Sequence, residues 1–201
     1  MSRNESIHSL IETVDRCLRD LSVEISAEEL ERIAFSLYYS LKPQARIFHS
    51  IKHALDLTLD DHPTISLAAL FHDLVYYQID EGFNPEVSEV IGDYVYEEPV
   101  EGLSLGRISL RADLSYDDPI VRLNLSLFNF KPGQELSVFG GLNELLSSLV
   151  MTRAFVDYLP LKTLAQMVAM WRVRSLLEEL IKRGLDPLIA SRSASRSSTA
   201  L

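Results

Sequence analysis

One cysteine, Cys17, stands in a chain of 201 residues. An intramolecular disulfide is therefore excluded, and such sparing use of cysteine fits a reducing compartment. Long apolar runs are also missing. None approaches the roughly 20 residues needed to span a bilayer, and Met1-Ser2-Arg3-Asn4-Glu5-Ser6 lacks the basic-then-apolar order of a secretory signal. A cytoplasmic location without membrane contact is the expectation. Positive charge is scarce as well: 19 Lys and Arg stand against 29 Asp and Glu, a net charge of −10. Nucleic-acid backbones are bound largely by neutralising phosphates with Lys and Arg, so no nucleic-acid partner is expected. An anionic ligand would need local positive charge, from a metal ion or from Arg46. What remains is ordinary for a globular chain, with 47% hydrophobic and 24% charged residues, and enough length for one helical domain with a real core.

The five histidines are unevenly spread, four of them lying between Ala45 and Gln78. His49 and His53 are four residues apart in an apolar-periodic run, so a helix would carry both imidazoles on one face. His72-Asp73 closes a second apolar run, Ile65-Ser66-Leu67-Ala68-Ala69-Leu70-Phe71. Two helices crossing here would bring two neutral imidazoles and a carboxylate together. That donor mix suits one divalent ion of Mn, Fe, Co, Ni or Zn better than Mg or Ca. The competing reading is a set of polar core histidines with no ion. His62 precedes a proline in a polar turn, and His8 falls off the apolar stripe of its helix; both are expected in solvent.

Arg46-Ile47-Phe48-His49-Ser50-Ile51-Lys52-His53 resembles the R-x-[YF]-H-x-x-x-H run of one branch of the HD-superfamily metal-dependent phosphohydrolases. Ala68-Ala69-Leu70-Phe71-His72-Asp73-Leu74-Val75-Tyr76 is similar to the A-x-[WF]-H-D-x-V-Y run of that branch. The resemblance implies an all-α, HD-domain-like helical bundle with His53, His72 and Asp73 as metal ligands. It places His49 toward the substrate as proton donor or phosphate contact, and Arg46 as a phosphate partner. Asn143-Glu144-Leu145-Leu146-Ser147-Ser148 matches the N-E-x-x-S-[AS] run of the branch, about seventy residues after Asp73. It would make Asn143 a substrate contact and let Glu144 orient a water or a ligating histidine. Asn84-Pro85-Glu86-Val87-Ser88-Glu89 competes for the same role. The alternative for Glu144 is a carboxylate that favours the start of its own helix.

The family pattern closes with a further aspartate as fourth ligand. Asp157, Asp113 and Asp186 are the candidates, and Asp157 is equally explained by an ion pair with Arg153. The resemblance ends near Ala169, which suggests a C-terminus that is shortened or divergent, with the fourth ligand lost. The implied function is metal-dependent hydrolysis of a phosphate ester, a nucleotide or other small phosphorylated molecule. The ion would act as a Lewis acid and activate water, with His49 protonating the leaving oxygen. The alternative is a catalytically compromised HD domain that binds a nucleotide or protein partner without turnover. A helical interaction module with buried histidines is a third reading.

The remaining elements follow from periodicity and punctuation. Apolar residues from Ile7 to Leu21 predict a first helix over 5–21 with Cys17 inside. Ser26-Ala27-Glu28-Glu29 has capping-box form and predicts a second helix from Ser26 to about Leu41, ended by Pro43. Helices are predicted over 45–59, 64–77, 85–97, 120–128, 142–158 and 161–180. A short hairpin over Arg107–Leu114 lies in an otherwise irregular stretch. Residues 79–141 would form an inserted lobe of a single domain over 1–184, followed by a disordered Ser/Arg-rich tail over 185–201.

Overall fold

The computed structural model describes residues 3–42 and 49–182. Arg46, Asp186, Gly184 and the tail over 185–201 lie outside the described residues. The fold is mainly helical, as expected, with one small two-stranded sheet among the described residues.

The first two helices follow their sequence signals closely. α1 spans Arg3–Asp20 and buries Leu10, Val14, Cys17 and Leu18, one face of a 3.6-residue repeat. α2 spans Ala27–Leu41, and the Ser26 hydroxyl accepts the Glu29 N–H at its start. The Glu29 carboxylate does not complete the box; it pairs with Arg32 one turn on. His8 is exposed beside Glu12, and the exposed His62 precedes α4 without capping it.

The next two helices are shorter than the periodicity suggests. α3 covers only Ile51–Asp56 and α4 covers Pro63–Phe71. α5, Pro85–Ile91, starts at the Asn84 cap but stops before Gly92 rather than near Glu97. The residues beyond it are drawn into β1, Val95–Glu98, which pairs antiparallel with β2, Arg107–Leu110. The expected hairpin over 107–114 is thus corrected: only its first half is strand, and the partner lies upstream. Long-range pairing of this kind leaves no local signature. On its other side β2 is met by 134–136, through Leu110 N–H to Gln134 O at 2.9 Å and Leu136 N–H to Ile108 O at 2.8 Å.

α6, Pro119–Phe128, is capped by the Asp118 carboxylate on the Ile120 and Val121 N–H groups. A single 3-10 turn over Val138–Gly140 leads into α7, Leu142–Phe155, and α8 runs Leu161–Lys182. α7 is the centre of the molecule. Leu142, Leu145, Leu146, Leu149, Val150, Met151 and Phe155 are all buried on it, and α4, α5, α6 and α8 pack around it. A helix buried on nearly every side shows no amphipathic stripe. Its polar members are satisfied internally: buried Asn124 of α6 donates to Ile120 O and to Thr152 Oγ1, and accepts from the Ser148 hydroxyl. α5 and α6, from the stretch expected as an insertion, contribute Val87, Ile91, Ile120, Val121 and Leu125 to the same core. No helix among the described residues is long and apolar enough to cross a membrane.

The sheet is stitched to the chain after α4 at one point. Tyr77 donates its hydroxyl to Glu97 Oε1 of β1, and the Gly106 N–H donates to the same oxygen at 3.0 Å. Burial and the Glu97 carboxylate both push the Tyr77 phenol above its usual range. A side chain at position 106 would collide here, because a Cβ would stand 2.5 Å from Glu97 Cγ and 2.8 Å from Glu98 O. The backbone oxygen cannot swing aside. Gly106→Ala is expected to cost about 1–3 kcal/mol, as overpacking does elsewhere, read as a lowered thermal midpoint. An unchanged midpoint would show that the strand ends adjust freely.

Candidate metal centre

The site forms where α3 meets the end of α4. His53 lies in the first turn of α3, whose N-cap is Ser50; its hydroxyl accepts the His53 N–H at 3.3 Å. His49 therefore precedes the helix. The expectation that His49 and His53 share one helix face is corrected by this cap. Serine offers its oxygen to the N–H groups of a first turn, and it begins helices more readily than it continues them. The two rings still meet, edge to face, with centroids 6.1 Å apart. His72 is the C-cap residue of α4 and Asp73 follows it in a turn, so the doublet ends the helix instead of sitting within one reaching Tyr77.

His72 is held in one tautomer. Its Nδ1 donates to Ala69 O at 2.6 Å, since a carbonyl can only accept. In the neutral ring, Nε2 then carries a lone pair. That atom is buried, lacks a hydrogen-bond partner, and lies 2.5 Å from Asp73 Oδ2. A lone pair facing a carboxylate is repulsive unless positive charge joins them, either a proton on Nε2 or a cation bound to both. Donation of the second ring N–H to a backbone carbonyl is also the usual way a metal-binding histidine is oriented.

Asp73 is the electrostatic hub. Its Oδ2 also lies 2.5 Å from His49 Nδ1. Burial by itself would raise the carboxyl, but the His72 and His49 imidazoles beside it outweigh burial and hold the group down at about 2. The carboxylate is thus ionised at neutral pH. The His53 and His72 ring centroids are 5.5 Å apart, and Tyr76 stands 5.0 Å from His49. One donor atom from each of His49, His53, His72 and Asp73 falls within 4.8 Å of all the others. Opposed ligands about 2.1 Å from an ion are about 4.2 Å apart, so the group can close on a cation with small side-chain shifts.

No protein-family model matches this chain, and neither does any curated protein or solved structure.

The other sequence candidates fall in different places. Asn143 lies in the first turn of α7 and its side-chain oxygen accepts the Tyr77 N–H at 3.1 Å. It acts on the chain leaving the doublet. Glu144, half-buried beside it, has no hydrogen bond or ion pair with any described residue and is not one of the four converging groups. Its carboxylate lies over the start of its own helix, 4.0 Å from where a Cβ of Gly141 would be, a position that suits the helix dipole. Asp113 is exposed and paired with Arg111, and Asp157 is exposed beside Arg153 at 3.9 Å. Neither is among the converging groups, which are His49, His53, His72 and Asp73. Asn84, the weaker competitor, caps α5 and donates to Ser40.

Three contributors have weaker sequence signals. Ser50 is a preferred N-cap type, yet it sits inside an unbroken apolar period. Trp171 of α8 donates its indole N–H to Ala68 O at 3.0 Å, fixing α4 from a distance of 103 residues. Ser147, fully buried on α7, accepts the Val75 N–H at 2.9 Å.

Proposed function

We propose that this chain is a metal-dependent phosphohydrolase of HD type, acting on a nucleotide or other small phosphorylated molecule. The observation that carries the reading is the convergence of three imidazoles and an ionised carboxylate on one point. His53, His72 and Asp73 would hold one divalent ion of Mn, Fe, Co, Ni or Zn. When bound, such an ion supplies Lewis acidity toward a phosphoryl oxygen and lowers the pKa of water.

The residues divide the work according to exposure. The His72 side chain is 8% exposed and Asp73 18%, so both belong to the floor of the site. His49 is 32% exposed and faces outward with its Nδ1 on Asp73. An imidazole oriented by a carboxylate can hold a proton on Nε2 and give it to a leaving oxygen. Tyr76 lies against the same ring and limits its rotation. With a net charge of −10, a phosphorylated substrate needs local positive charge, which a bound cation would supply.

Purified protein supplied with Mn²⁺ or Co²⁺ is expected to release phosphate from a phosphoester panel. His72→Ala should abolish release, and His49→Ala should lower turnover about 10²- to 10⁴-fold, the usual share of a general acid. A second reading, binding without turnover, is favoured by one observation: Asp113 and Asp157 are exposed and paired with arginines, so no second carboxylate joins Asp73 from these positions. Nucleotide-induced stabilisation with no phosphate released would select that reading.

A further inference from the structure

The segment after the doublet has a construction of its own. Val75 and Tyr76 belong to neither helix nor strand, and Val75 and Tyr77 are each 3% exposed. Their backbone N–H groups have no access to water and must find partners in the protein. Both partners come from α7: Ser147 Oγ for Val75 and Asn143 Oδ1 for Tyr77. Alternate N–H groups of the segment thus meet the i and i+4 side chains of one helix face. The residue between them, Tyr76, packs against His49.

Asp73 is bracketed by this arrangement. On its N-terminal side α4 is fixed by Trp171 on Ala68 O and by Phe71, whose ring meets Phe155 edge to face at 5.4 Å. A turn follows, closed by the Leu74 N–H on Phe71 O at 3.1 Å. On its C-terminal side only Leu74 separates Asp73 from the clamped Val75. The chain has no slack between the two anchors.

We infer that Asn143 and Ser147 are positioning residues of the metal centre, setting through the Val75–Tyr77 backbone where the Asp73 carboxylate and the Tyr76 ring stand. This rests on the metal-site reading above. It gives Asn143 a role through its amide oxygen, which accepts the Tyr77 N–H, in place of a substrate contact. It also separates two kinds of polar group on α7. Ser147 and Asn143 face the site loop, whereas Ser148 and Thr152 face Asn124 of α6.

The test is Mn²⁺ titration into metal-free full-length protein, with thermal midpoints measured alongside. Asn143→Ala and Ser147→Ala are expected to weaken Mn²⁺ binding about 10- to 100-fold, as losses of groups that orient metal ligands do. Asn143→Asp keeps an acceptor for the Tyr77 N–H and should bind close to wild type. Thr152→Ala breaks the polar network on the opposite face; it should lower the midpoint and leave Mn²⁺ affinity unchanged. If Ser147→Ala fails to fold, the half-buried Asn143 pair decides the matter. Unchanged affinity in Asn143→Ala, or equal weakening in Asn143→Asp or Thr152→Ala, would overturn the positioning role while leaving the metal site standing. Wild-type protein that takes up no Mn²⁺ would overturn both.

Discussion

Asp73→Ala is expected to leave the protein without bound metal, where wild type carries about one ion per chain after reconstitution with Mn²⁺, Co²⁺ or Ni²⁺. Asp73 is the single carboxylate among the four converging groups. Its Oδ2 touches both His49 and His72, so its removal takes away the anionic donor and the atom that orients two imidazoles. Groups that only support a ligand are worth about 10- to 100-fold in affinity, and a direct ligand should exceed that. Asp73→Asn is the informative companion. It keeps the shape and one oxygen but removes the charge, and should bind more weakly than wild type yet more tightly than the alanine variant. Elemental analysis of the three proteins is the check. Metal retained in Asp73→Ala would place the ion elsewhere, and no metal in wild type would remove the basis of the hydrolase proposal.

Phe155→Ala should produce the largest loss of stability. Phe155 closes α7, is 0% exposed, and meets Phe71 edge to face. Truncating a buried phenylalanine costs about 3–5 kcal/mol, from lost burial and from the cavity left behind. For a domain near this size that is a fall of about 6–20 °C in the thermal midpoint. The consequence also reaches function, since Phe71 immediately precedes His72. Metal affinity should fall with stability in Phe155→Ala, whereas Asp73→Ala should lose the ion while keeping most of its stability. A loss under about 1 kcal/mol would mean that the surrounding leucines collapse into the space.

The sequence pointed to the His/Asp cluster because its parts are short and local. An H-x-x-x-H run and a His-Asp doublet each say which side chains are close along the chain. The same local reasoning found the Ser26 cap before α2. It failed where two local signals competed. Ser50 ended the expected His49–His53 helix because its hydroxyl serves a first turn better than a helix interior. Residues 95–98 continued a helical pattern but became strand, because pairing with 107–110 lies nine or more residues away and is invisible to a short window.

Composition and spacing by themselves determined the absence of an intramolecular disulfide, the need for local positive charge around any anionic ligand, most of the helices, and the choice of His49, His53, His72 and Asp73 as candidates to hold a metal ion. Tertiary structure alone decided how they are used. It set His49 before α3 and onto Asp73, kept Asp113 and Asp157 in solvent, and turned Asn143 and Ser147 toward the backbone of Tyr77 and Val75. The physical reason lies in the buried N–H groups. A chain that leaves a helix inside a core must find acceptors for its backbone, and here they come from a helix about seventy residues away.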